Sequence, residues 1–121
     1  KARAYFKRRF RKFTDEARES AFKYMLERAS DYTIRFKAKR ESLEIGSEAG
    51  QPIDMWSLVK GIRVPVLLIK GGDSPTVTRE RIEKMSEIIE DFTFVEVPGA
   101  THMVPQDAPK DFEEIVREFI K

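Results

Sequence analysis

An α/β architecture, a parallel βαβ unit finished by a closing helix, is what this sequence predicts, and three features predict it. Val64 to Ile69 and Phe92 to Val97 are short apolar runs rich in β-branched and aromatic residues, of strand length rather than helix length. Between them, Thr78 opens a stretch in which Ile82, Met85, Ile88 and Ile89 recur at helical spacing. Turn residues follow both runs: Gly71-Gly72-Asp73-Ser74-Pro75 after the first, Pro98-Gly99-Ala100-Thr101-His102 after the second. One crossover helix makes the two strands parallel neighbours, so their carboxyl ends lie side by side. Open α/β sheets build their sites at that edge. Asp73 and His102 are 29 residues apart, about the span of one βαβ unit, so the fold itself is expected to bring a carboxylate and an imidazole together.

The residues before this unit read as mainly helical. Phe6, Phe10 and Phe13 fall at i, i+4 and i+7, one face of a helix. Residues 1–12 hold seven basic side chains and no acid, while the whole chain nets +2, so the remainder is acidic on balance. A basic run with interleaved aromatics also suits a nucleic-acid or anionic-membrane surface. The one-sided spacing of the phenylalanines favours an amphipathic helix with solvated cations. Thr14 is placed to cap a second helix over residues 15–29, with Asp15 and Glu16 in its first turn and Phe22, Met25, Leu26 and Ala29 as its stripe. Tyr32, Ile34, Phe36 and Ala38 alternate with polar residues and predict an extended segment. Gly46 to Pro52 reads as a loop, which divides the chain into a helical lid or cap segment, 1–52, and a sheet-forming part, 53–121.

In that second part, Asp54 is placed to cap a short helix carrying Trp56, Leu58 and Val59, stopped at Gly61. Pro65 is acceptable only at the first residue of its strand, because it offers no ladder donor. Asp107 is expected to cap the last helix, with Pro109 in its first turn and Phe112, Ile115, Val116, Phe119 and Ile120 as its buried stripe.

Composition excludes several classes. With 40% apolar and 36% charged residues the chain reads as a soluble globular one. No apolar run approaches the ~18 residues a membrane helix needs, and there is no signal-peptide pattern, so a cytoplasmic location is the expectation. The absence of cysteine excludes disulfides and thiolate chemistry, a single histidine argues against a histidine metal site, and neither a metal nor a cofactor is expected.

Pro65-Val66-Leu67-Leu68-Ile69-Lys70-Gly71-Gly72-Asp73-Ser74-Pro75, then Val97-Pro98-Gly99-Ala100-Thr101-His102-Met103-Val104-Pro105, then Asp107-Ala108-Pro109 with Phe112, together resemble the C-terminal part of the α/β-hydrolases. The resemblance is specific over residues 56–121 and looser before them. It implies that the turn after the first strand carries the acid of a catalytic triad, Asp73, and that the loop after the second carries the triad histidine, His102. If Pro75 is matched to the proline that often follows the family's aspartate, Ser74 takes the acid's position; a one-residue shift restores Asp73, and a carboxylate at another strand end is the remaining alternative.

The family's nucleophile stands in a G-x-S-x-G elbow between a strand and a helix. No such elbow occurs here: in Gly46-Ser47-Glu48-Ala49-Gly50 the serine comes one place early and no β-branched strand precedes it. The resemblance therefore implies a lid plus the C-terminal portion of a hydrolase whose N-terminal half is its partner and supplies the nucleophile. The 121 residues alone are expected to be inactive. Carboxylesterase-like hydrolysis of a small ester or related acyl compound is the leading expectation. Peptidase, dehalogenase, epoxide or carbon–carbon hydrolase chemistry on the same fold, or a non-catalytic basic binding module, are the alternatives.

Overall fold

The computed structural model describes residues 2–29, 31, 33–38 and 54–121. The expected loop from Gly46 to Pro52, with its Gly46-Ser47-Glu48-Ala49-Gly50 string and the proposed boundary at 52/53, lies outside the described residues, as does Tyr32. The chain divides into two compact units, Lys1–Ile53 and Asp54–Lys121.

The first unit is organised by phenylalanine. Helix α1 (Ala2–Arg9) buries Phe6, which is 2% exposed. Its ring meets Phe10 at 4.9 Å, Phe22 edge-on at 5.5 Å and Phe36 stacked at 5.8 Å. The three phenylalanines do pack inward, but not as one helical face: the helix ends at Arg9, and Phe10 and the buried Phe13 lie in the turn beyond it. Helix α2 (Asp15–Met25) starts where expected, Thr14 Oγ1 accepting the Ala17 N–H at 3.3 Å. It ends four residues earlier than periodicity predicts. Leu26 turns extended and begins β1 (Leu26–Arg28), which pairs antiparallel with β2 (Ile34–Phe36), Leu26 opposite Phe36. Asp31 shapes the turn by accepting the Thr33 N–H at 3.0 Å and hydroxyl at 2.6 Å, and Arg35 pairs with Glu27 across the hairpin at 2.8 Å. The alternation at Ile34 and Phe36 was a correct sign of extended chain; its partner strand was hidden inside a helical-looking stripe.

The second unit begins with α3 (Met55–Val59), capped by Asp54 as expected. Strands β3 (Val66–Gly71) and β4 (Phe92–Val97) pair in parallel from Val66 opposite Phe92 to Gly71 opposite Val97. Val64, 65% exposed, is not in the strand: Pro65 has no N–H to give, and pairing begins when the Val66 N–H reaches Asp91 O at 2.9 Å. The crossover is α4 (Arg79–Ile88), capped by Thr78. After β4 come a short helix, α5 (Val104–Asp107), and the closing helix α6 (Pro109–Phe119). Val97, Ala100 and Val104 form a buried cluster, against which Ile69, Phe112 and Ile115 pack. Ile120, expected in the stripe, falls beyond the helix end and is 71% exposed. Among the described residues no helix is long and apolar enough to cross a membrane.

Candidate active site

Both predicted loops leave the sheet at one edge. Beyond β3, Ser74 N–H closes a turn onto Gly71 O at 2.9 Å and presents Asp73 to solvent. Beyond β4, Val97-Pro98-Gly99-Ala100 makes a turn in which the Ala100 N–H bonds Val97 O at 3.3 Å. Gly99 sits there at φ 73°, the third turn position where a positive φ costs glycine nothing and where proline before it is favoured. Ala100 is then buried, Thr101 half-buried, and His102 exposed.

The two loops are bonded to each other through their backbones. Gly72 N–H donates to Val97 O at 2.8 Å and Asp73 N–H to Ala100 O at 2.9 Å. Gly71 makes the close approach feasible, since a Cβ built on it would lie 2.0 Å from Thr101 O and 2.5 Å from Ala100 O. One step back along the strands, Lys70 and Glu96, opposite each other in register, are paired at 2.9 Å. Asp73 and His102 therefore stand on neighbouring loops whose backbones are tied together.

Ser74, at the acid's position when Pro75 is taken as the family's proline, is 7% exposed, and its Oγ accepts the Thr76 N–H at 3.4 Å. Asp107 departs from expectation. Ala108 is the N-cap of α6 and makes no side-chain cap, whereas the Asp107 side chain turns back to the histidine loop, its Oδ2 accepting the Thr101 N–H at 2.7 Å and the Thr101 hydroxyl. Sequence reasoning missed this because an Asp ahead of an Ala-Pro helix start has the signature of a local cap; only its place five residues after the histidine pointed elsewhere. Among the described residues no group of His, Asp or Glu side chains is assembled to hold a metal ion.

No protein-family model and no curated protein matches the sequence. Solved structures do match. An E-2-(acetamidomethylene)succinate hydrolase aligns over 98% of this chain and 43% of its own, at 24% identity and a TM-score of 0.80. A marine microorganism esterase aligns over 97% of this chain and 45% of its own, at 27% identity and a TM-score of 0.61. A peroxisomal alpha-beta-hydrolase from Saccharomyces cerevisiae aligns over 98% of this chain and 33% of its own, at 15% identity and a TM-score of 0.76. The chain spans less than half the length of each of these structures.

Proposed function

We propose that this chain, whose fold is that of the C-terminal portion of the α/β-hydrolases, supplies the base and the acid of an esterase-like hydrolase: His102 as general base and Asp73 as its carboxylate. The observation that carries the proposal is the backbone bonding of the two loops, Asp73 N–H to Ala100 O at 2.9 Å, two residues before His102. The imidazole takes the proton from a serine hydroxyl as the oxygen attacks an acyl carbon, then returns it to the leaving alkoxide. The carboxylate holds the tautomer and favours the imidazolium formed on the way. The serine and the oxyanion donors belong to residues outside these 121, in the N-terminal half of the same hydrolase. The substrate class is a small ester or related acyl compound, and the Lys1–Ile53 unit takes the part of a lid segment. The nucleophile decides between acyl transfer and the other reactions this fold hosts.

The test is turnover of a panel of small esters by the full-length protein. His102→Ala is expected to lower kcat by roughly 10⁴-fold or more, as loss of a triad member does. Activity within about tenfold of the parent, ~1.4 kcal/mol in barrier, removes His102 from the chemistry. Asp73→Asn keeps the volume and removes the charge, so a fall of a similar order is expected. A silent Asp73→Asn beside an essential carboxylate elsewhere leaves Asp73 as a turn residue and moves the acid to another strand end.

A further inference from the structure

We infer that Asp107 is a positioning residue for His102, acting through Thr101 as a clamp on the loop from which the imidazole projects; this rests on the reading of His102 as the general base. A single carboxylate oxygen, Asp107 Oδ2, accepts both the backbone N–H of Thr101, at 2.7 Å, and its hydroxyl. The same hydroxyl oxygen accepts the Met103 N–H at 3.3 Å. The residues on either side of His102 are thus bound to one oxygen, directly or through one hydroxyl, while Ala100 O is taken by Asp73 N–H. Asp107 is itself held: it ends α5, whose first residue, Val104, belongs to the buried cluster with Val97 and Ala100. The carboxylate links an exposed loop to that core.

An exposed histidine gains nothing from its own packing, yet a general base works only within hydrogen-bond reach of the proton it takes. Displacement of a catalytic group by about 1 Å costs on the order of 100-fold in rate. Fixing the backbone on both sides of the imidazole is the way to hold it without burying it. A charged acceptor suits the task, because hydrogen bonds to a carboxylate are about twice as strong as those between neutral groups. Threonine suits it too, being one side chain that donates to Asp107 and accepts from Met103 at once.

The experiment compares Thr101→Val, which removes the hydroxyl at nearly constant shape, with Thr101→Ser, Asp107→Ala and the Thr101→Val/Asp107→Ala double variant, all in the full-length protein. Thr101→Val and Asp107→Ala are expected to lower kcat by roughly 10- to 100-fold with KM within about twofold. The double variant should be no slower than the slower single, since both open one clamp. Thr101→Ser should stay within about threefold of the parent, because it keeps the bridging oxygen. Amide exchange at Thr101 and Met103 should accelerate by about tenfold or more in Asp107→Ala while the β3 amides stay protected. Where Asp107→Ala does not fold, the Thr101 pair decides. Unchanged kcat in Thr101→Val, losses that multiply in the double variant, or failure of Thr101→Ser to keep activity overturns the clamp. A His102→Ala variant that remains active overturns the general-base reading instead, and the exchange data still report on the clamp.

Discussion

Gly71→Ala is the most demanding perturbation this site offers. The added Cβ would meet Thr101 O at 2.0 Å, Ala100 O at 2.5 Å and Thr101 C at 2.7 Å, all backbone atoms with no rotamer to escape through. Ordinary carbon–oxygen contact lies at about 3.3 Å or more, so the histidine loop must retreat by roughly 1 Å. That retreat stretches the Gly72 N–H to Val97 O bond and the Asp73 N–H to Ala100 O bond, now 2.8 and 2.9 Å. Each is worth about 1 kcal/mol net, overpacking adds about 1–3 kcal/mol, and alanine's stiffer unfolded chain returns about 0.4–1 kcal/mol. The expected destabilisation is therefore about 2–5 kcal/mol. Turnover should fall by on the order of 100-fold, because the imidazole moves with its loop. Denaturant unfolding of the full-length protein measures the first quantity and ester turnover the second. Gly61→Ala is a fitting control, its nearest neighbour being Leu58 O at 3.3 Å. A Gly71→Ala protein within about 1 kcal/mol of the parent and within about threefold in kcat would refute the claim that close backbone approach sets the histidine's position.

Three further outcomes are expected. Phe6→Ala empties the centre of the aromatic cluster of the first unit and should destabilise that unit by about 3–5 kcal/mol, read by denaturant unfolding followed at the aromatic signals; a loss under about 1 kcal/mol would show that Phe6 is not its core. Asp54 accepts from the Ser57 hydroxyl, which with the Ser57 and Trp56 N–H groups holds its carboxyl below the usual carboxylate range. A carboxyl depressed by folding stabilises at a pH above its unfolded value and loses that contribution as pH falls through its folded value, so the stability gap between parent and Asp54→Ala should be full at pH 7 and close well below pH ~4; a gap unchanged in acid would refute the capping account. In isolation the 121 residues should show no ester turnover, associate, and exchange their Val66 to Ile69 amides readily, because a groove of Pro65, Leu67, Thr93, Val95, Ile115 and Phe119 and both edges of a two-stranded sheet stand open among the described residues; size measurement, amide exchange and turnover check this, and a monodisperse, protected, active monomer would contradict it.

Features decided by neighbours in sequence were legible, and those decided by distant partners were not. Thr14, Asp54 and Thr78 were readable as caps because a cap bonds its own first turn. Phe92–Val97 was readable as a strand because its composition and its flanking turns agree. The adjacency of the two loops followed from topology, since a crossover returns the chain to a parallel neighbour. Leu26 to Arg28 was misread because the helical stripe of α2 runs through it, and only the later Ile34–Phe36 strand, with Arg35 answering Glu27, makes a hairpin the better use of those residues. Asp107 was misread for the same reason in miniature: its local option was a cap, and its actual partners lie six residues back on another loop. Val64 was drawn into the strand by apolar character, although the missing donor of Pro65 delays pairing.

The geometry at this sheet edge is set by strand register and by bonds between the two loops. Register fixes where each loop begins: Gly71 faces Val97, the Lys70–Glu96 pair locks the preceding step, and a slip by one residue would turn every side chain to the opposite face. The ion pair contributes little energy, since Glu96 is half-exposed and such pairs are worth about 0–1 kcal/mol, but it penalises the slipped pairing. Beyond the strands, two bonds from one loop to the other and the Asp107–Thr101 contact use backbone groups and second-line side chains only. Asp73 and His102 are both exposed at the ends of these loops. Replacement of the exposed His102 is expected to leave the unit folded, so a loss of turnover in His102→Ala tests the proposed proton transfer, whereas a loss in Gly71→Ala or Thr101→Val tests where the histidine loop is held.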